Sequence, residues 1–194
     1  MDRGRLEAFS DGVIAILITI MVLGLVPPKG ATIEALTELA PVFLAYVMSF
    51  VFLGIYWNNH HHLLAASSVV NGRVLWANLH LLFWLSLIPF ATAWMGENGF
   101  AAVPVALYGV VLMAAGMGYY ILSRLLLAAQ PEGAPLLEAI SRDRKGTASL
   151  VILVIAVPVS LVLPLAACAL YALIAAMWFI PDSRIERVLG RPDV

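Results

Sequence analysis

Arg5-Leu6-Glu7-Ala8-Phe9-Ser10-Asp11-Gly12-Val13-Ile14-Ala15-Ile16-Leu17-Ile18-Thr19-Ile20-Met21-Val22-Leu23 decides the class of this chain. It opens on charged and polar side chains and runs without a break into an apolar segment of membrane-spanning length, about 17 to 25 residues. Asp11 is carried into that segment. An ionisable group at membrane depth costs about 3 kcal/mol or more and usually marks function rather than anchoring.

Composition agrees with a membrane setting. The chain has 194 residues, of which 62% are hydrophobic and 12% charged. Its mean hydropathy is +0.96. Soluble domains carry about 25% charged residues, so an all-α integral membrane protein is expected. A transmembrane barrel would show alternating segments of about ten residues, and this pattern is absent. The single cysteine, Cys168, excludes an internal disulfide. The net charge of −1 is uninformative beside its distribution, and no nucleic-acid partner is expected. The first apolar run is followed by Pro27-Pro28 rather than a small-residue cleavage site, which argues against a removed signal peptide.

Apolar runs of spanning length predict six transmembrane helices, roughly Leu6 to Val26, Pro41 to His61, Val74 to Met95, Ala101 to Leu127, Thr147 to Leu163 and Leu165 to Ile180. Pro158 and Pro164 crowd the last two, which read as a short hairpin or as one long kinked helix. Charge distinguishes these readings. With six spans, Arg3, Arg5, Arg73, Arg124, Arg142, Arg144, Lys145, Arg184, Arg187 and Arg191 share one side and Lys29 alone takes the other. That asymmetry places both termini in the cytoplasm and favours the hairpin. The expected organisation is a six-helix transmembrane domain over residues 1–181 and a short cytoplasmic tail over 182–194, in the cell's inner (plasma) membrane. Six spans this small rarely enclose a solute pathway alone, so self-association is expected.

At about 100° per residue, Ile16, Ile20 and Leu23 share one face of the first span, and Phe9 and Gly12 extend it. Thr19 lies about 60° from Ile16, Ser10 about 120° and Asp11 about 140°. The acid and the aliphatic stripe therefore face different neighbours. Such a stripe ordinarily means lipid contact or helix packing. A membrane threonine ordinarily bonds back to a carbonyl one turn earlier, and Ser10 and Asp11 are residue types that cap helix starts. Asp11, six residues after Arg5, is late for a cap, which points to a partner on another helix.

Candidate partners end the second span, Tyr56-Trp57-Asn58-Asn59-His60-His61-His62, and occupy the third, with Trp76, Asn78, His80, Trp84 and Ser86. Asp11, His60, His61 and Asn78 fall at matched depth, where polar groups satisfy one another across helices. Three consecutive histidines point in three directions and suit a metal poorly. Even with His80, carboxylate and cysteine ligands at metal spacing are lacking, so no metal beyond a permeant ion is expected.

Arg5, Phe9-Ser10-Asp11 and the apolar stripe with Thr19 resemble the first helix of the bacterial branch of the transmembrane protein 175 family of potassium-permeable channels. Tyr56 to His61 and Asn78 to Thr92 resemble that family's second and third helices. The motif likeness covers about the first half of the chain, and the rest agrees in topology. The resemblance implies a homotetramer with the first helix lining a central pore. Its pore constriction falls on Ile16, Ile20 and Leu23, and its selectivity position on Thr19. The family's polar contacts among the first three helices fall on Arg5, Ser10, Asp11, His60, His61 and Asn78. It implies no cofactor and no enzymatic activity, with potassium as the permeant ion among monovalent cations and the lipid bilayer as surroundings.

No loop of the Thr-Val-Gly-Tyr-Gly type is present, since Tyr108-Gly109 and Tyr119-Tyr120 lie inside the fourth span. A proton-coupled secondary transporter using Asp11 and the span-two histidines is the competing reading, with no inverted repeat to support it. A membrane enzyme lacks a nucleophile beside the histidines.

Overall fold

The computed structural model describes residues 2–130 and 144–179. Every regular element among them is helical. Helix α1 (Arg3–Ile20) begins earlier than its apolar run, because the Asp2 carboxylate accepts the free Gly4 amide. A 3-10 turn over Met21–Gly24 then ends the span ahead of Pro27 and Pro28. A five-residue helix, α2 (Ile33–Thr37), follows, capped by the Thr32 hydroxyl on the Ala35 amide. The sequence reading had no element there. Helix α3 (Ala40–Ala65) is longer than expected and carries all three consecutive histidines inside its last turns.

The third span is two helices, α4 (Gly72–Ser86) and α5 (Ile88–Glu97). Pro89 is the reason. Its ring removes an amide donor and crowds the preceding turn, so the Leu87 amide closes a tighter bond to the Trp84 carbonyl (3.2 Å) before α5 restarts. Helix α6 (Ala102–Ala129) runs unbroken. Helices α7 (Arg144–Ser160) and α8 (Pro164–Phe179) are separate and packed on one another, joined by a three-residue turn. The single kinked helix is thereby excluded.

Among the described residues, four stretches are long and apolar enough to cross a membrane: Arg3–Gly24, Ala40–Ala65, Gly72–Glu97 and Ala102–Ala129. Helices α7 and α8, with 17 and 16 described residues, are shorter apolar helices of about 26 and 24 Å at 1.5 Å per residue. The chain is a multi-pass, all-α membrane protein. The polar connection around Pro131 to Arg142 and the tail from Pro181, with Arg184, Arg187 and Arg191, lie outside the described residues.

Helix α6 is the centre of the packing, against α4, α5, α7 and α8, while α1 packs on α3 and α4. Leu81, Leu85, Ile88, Leu112 and Leu122 form the fully buried core. Lipid is as apolar as leucine, so close approach and buried polar pairs hold membrane helices together. Gly118 gives the first, since a Cβ there would meet the Leu81 backbone at 3.1 Å. Hydroxyls give the second. Ser49 Oγ lies 2.6 Å from Thr92 Oγ1 and 3.0 Å from Tyr108 Oη, linking α3, α5 and α6. Tyr171 Oη on α8 donates to the Val105 carbonyl of α6 at 3.2 Å.

Gly109 tests this packing. A Cβ there would collide with the Tyr171 hydroxyl and with Val157. Gly109→Val should cost about 1–3 kcal/mol or more through overpacking, read as a lowered unfolding midpoint in detergent. Gly116→Ala, whose Cβ would meet Tyr56 Oη at an ordinary 3.7 Å, should unfold like the parent.

Candidate functional site

Helix α1 has two unlike faces. Leu6, Ser10, Ile14, Leu17 and Met21, at helical spacing, are buried against the rest of the chain. Opposite them, Phe9 (49% exposed), Ile16 (63%), Ile20 (48%) and Leu23 (75%) stand outward, with Gly12 and Thr19 among them. The four residues of the sequence-derived constriction and selectivity set thus lie on one open strip. Thr19 Oγ1 gives its proton to the Ala15 and Ile16 carbonyls, both at 3.0 Å. Its lone pairs are left facing away from the backbone, so the hydroxyl is poised as an acceptor.

The buried face is fastened by a directed run of hydrogen bonds across three helices. His60 on α3 donates from Nε2 to Asn78 Oδ1 on α4, at 2.7 Å. Asn78 Nδ2 donates to Ser10 Oγ on α1, at 2.9 Å. Ser10 Oγ donates to the Leu6 carbonyl, at 2.9 Å. All three side chains are buried. The direction is determined by chemistry: an amide oxygen only accepts, so the His60 tautomer carries its proton on Nε2. His60 Nδ1 is then a bare acceptor, buried with no hydrogen-bond partner among the described residues.

Asp11 belongs to a second, more exposed group. Its Oδ1 accepts from Trp57 Nε1 at 3.0 Å. One turn earlier, Glu7 Oε1 lies 3.0 Å from His61 Nδ1. The His61 ring stacks on Trp57, with centroids 6.1 Å apart. At the same end of α1, Arg3 donates to the carbonyls of Ala65, the last residue of α3, and Ser67 just after it, at 3.1 and 3.0 Å.

Four of the six residues expected in the polar network, Ser10, Asp11, His60 and Asn78, therefore bridge α1, α3 and α4. His61 joins them through Glu7. Arg5 is corrected: it is exposed and forms no hydrogen bond or ion pair among the described residues, and Arg3 does the fastening instead. A helix turns about 200° over two residues, so the two arginines point in opposite directions. The statement that carboxylates at metal spacing are lacking is also corrected. Glu7 and Asp11 stand one turn apart and converge with His61, with their ligand atoms all within 4.8 Å of one another. Trp57 stood within the stretch of candidate partners, whereas Glu7 had no assigned role, although the four-residue spacing of Glu7 and Asp11 is a visible signal. His80 is remote from this group, accepting from Trp84 Nε1 on its own helix at 3.3 Å.

The fold and site define a multi-pass helical membrane protein whose first helix is tied by polar contacts to the second and third spans and bare on its other side. Residues 5–89 match the family described as endosomal/lysosomal potassium channel TMEM175. A potassium channel of Chryseobacterium sp. (strain P1-3) is 50% identical over 189 residues, 97% of this chain and 98% of that protein. The chicken endosomal/lysosomal proton channel TMEM175 is 43% identical over 75 residues, 32% of this chain and 15% of that protein. The crystal structure of a lysosomal potassium-selective channel TMEM175 homolog from Chamaesiphon minutus shares the fold, with a TM-score of 0.78 at 24% identity over 92% of this chain and 96% of that one. The chain belongs to the TMEM175 family.

Replacing Asn78 by leucine, of similar size, strands the His60 donor and removes the Ser10 partner. Asn78→Leu should cost about 1–3 kcal/mol for each buried group left unpaired. Ser10→Ala removes the bond from Asn78 and the one to the Leu6 carbonyl but strands only the Asn78 amide, so it should cost less. Unfolding midpoints in detergent rank the two, and a double variant no worse than Asn78→Leu alone would place both on one network.

Proposed function

We propose that this protein is a potassium-permeable cation channel, assembled as a homotetramer in the inner (plasma) membrane with α1 lining the pore. The observation that carries this is the division of α1 into a fastened face and a bare aliphatic strip. A strip of Ile16, Ile20 and Leu23 without partners in its own subunit is suited to meeting its copies about an axis. The name of the Chryseobacterium relative matched over nearly its full length, a potassium channel, supplies the ion.

Each subunit crosses the membrane six times in this reading, with α7 and α8 as a short hairpin and both termini cytoplasmic. Four copies of Ile16, Ile20 and Leu23 make apolar rings that close by dewetting. A bare cation is costly there, so conduction requires the four helices to part and admit a hydrated or partly hydrated ion. Four Thr19 hydroxyls, their protons already given to backbone carbonyls, then present oxygen lone pairs to potassium. No cofactor and no catalytic step are needed, and the permeant ions are monovalent cations.

Proton-coupled transport through Asp11 and the histidines is the weaker reading. The hydrogen-bond run from His60 ends on a backbone carbonyl of α1, and Asp11 bonds to an indole that does not titrate. Both are arrangements for holding a helix.

Potassium flux into liposomes tests the pore. Ile16→Asn should raise resting flux several-fold by wetting the constriction, and Thr19→Ala should bring the potassium-to-sodium permeability ratio toward unity. Unchanged flux and selectivity in both would overturn α1 as the pore helix. Asp11→Ala should lower tetramer yield or open probability and leave ion preference as it was. A variant that assembles normally and changes only ion preference would refute the fastening role.

A further inference from the structure

Glu7, Asp11 and His61 have a property that the fastening role does not require. Two carboxylates one turn apart on α1 meet an imidazole from α3, and the three ligand atoms lie within 4.8 Å of one another. Glu7 and His61 already touch at 3.0 Å. We propose that these three side chains form a site for a first-row divalent transition-metal ion of the zinc class, which clamps α1 to α3.

The donor set selects the ion class. One imidazole nitrogen and two carboxylate oxygens suit zinc and its neighbours, whereas magnesium and calcium prefer all-oxygen sites. Zinc bonds nitrogen and oxygen at about 2.0–2.2 Å, which in tetrahedral geometry puts ligand atoms about 3.4 Å apart. The Glu7–His61 pair, at 3.0 Å, is close to that spacing, and a carboxylate oxygen of Asp11 lies within 4.8 Å of both. Three protein ligands leave a fourth position for water. The two carboxylates balance the charge of the ion. Trp57 has the geometry of an outer-shell partner: its indole N–H holds Asp11 Oδ1, which leaves Oδ2 for the metal. His61 and Glu7 are partly exposed, so the site is open to solution.

The site stands apart from the exposed strip, since Asp11 lies about 140° around α1 from Ile16. A bound ion therefore acts on the attachment of α1 to α3, beside the Glu7–His61 contact, the Trp57 bond to Asp11 and the Arg3 bonds to the end of α3.

The full-length protein, purified in detergent and stripped with chelator, is titrated with zinc chloride by calorimetry near neutral pH. The expected result is one zinc per subunit and a raised unfolding midpoint, with no such effect of magnesium. Glu7→Gln and His61→Gln should each weaken binding by about tenfold or more, the loss already typical of an outer-shell partner. His61→Cys, which keeps a zinc ligand, should retain binding and guards against a glutamine variant that merely misfolds. His80→Gln should bind as the parent does. Absence of stoichiometric zinc binding, or equal affinity in Glu7→Gln and the parent, overturns the proposal. Binding is read without ion flux, so either result leaves the channel reading untouched.

Discussion

The rotation of α1 about its own axis is the constraint on which the rest depends. His60, Asn78 and Ser10 pass hydrogen bonds in one direction from α3 through α4 to the Leu6 carbonyl of α1. Each link has a single chemically allowed sense, because the amide of Asn78 offers a donor on one side and an acceptor on the other. In an apolar surrounding there is no water to replace a lost partner. A turn of α1 by one residue, about 100°, would strand Asn78 and expose Ser10 to an apolar environment. The same turn would carry Ile16 and Leu23 off the outward strip. A small buried network thus sets what α1 presents to everything outside the subunit.

Around that network the two sides of α1 divide the chemistry. On the fastened side, polar atoms are spent on each other: Arg3 on the carbonyls at the end of α3, Glu7 on His61, Asp11 on Trp57. On the open side, between the aliphatic side chains, Thr19 has turned its proton inward, so only its acceptor face remains. Asp11 is costly at membrane depth, and the indole donor it receives offsets part of that cost. In the proposed channel this separates permeation from attachment. The strip meets the ion, and the acids and histidines determine how firmly α1 is held while it moves.

The fold was legible where hydrophobic run length decides it, and the four long spans follow from that pattern. It was less legible at element ends. Pro89 breaks the third span into α4 and α5, which a hydropathy window averages away, and α1 begins at Arg3 because Asp2 caps it, ahead of any apolar signal. The site was legible in composition and partly in pairing. Asn78 and His60, read at matched depth, meet, with Ser10 as their link to α1, and Ile16, Ile20 and Leu23 share an exposed face with Thr19 at its edge. Arg5 and Arg3 exchanged roles, because depth alone does not say toward which neighbour a helix-end side chain turns. The partner of Asp11 is Trp57 and not a histidine for the same reason.

The sequence by itself determined the membrane class, the membership of residues in faces, and the separation of Asp11 from the aliphatic strip. Those follow from run length and from the fixed turn of an α-helix, which are local properties. The tertiary structure decided which face of α1 is buried and which is bare. It also decided which of two arginines holds α3, and that two carboxylates meet His61. These depend on the relative rotation and depth of separate helices. That geometry is settled by close approach at residues such as Gly109 and Gly118 and by hydrogen bonds between distant residues, neither of which has a period that a sequence reveals.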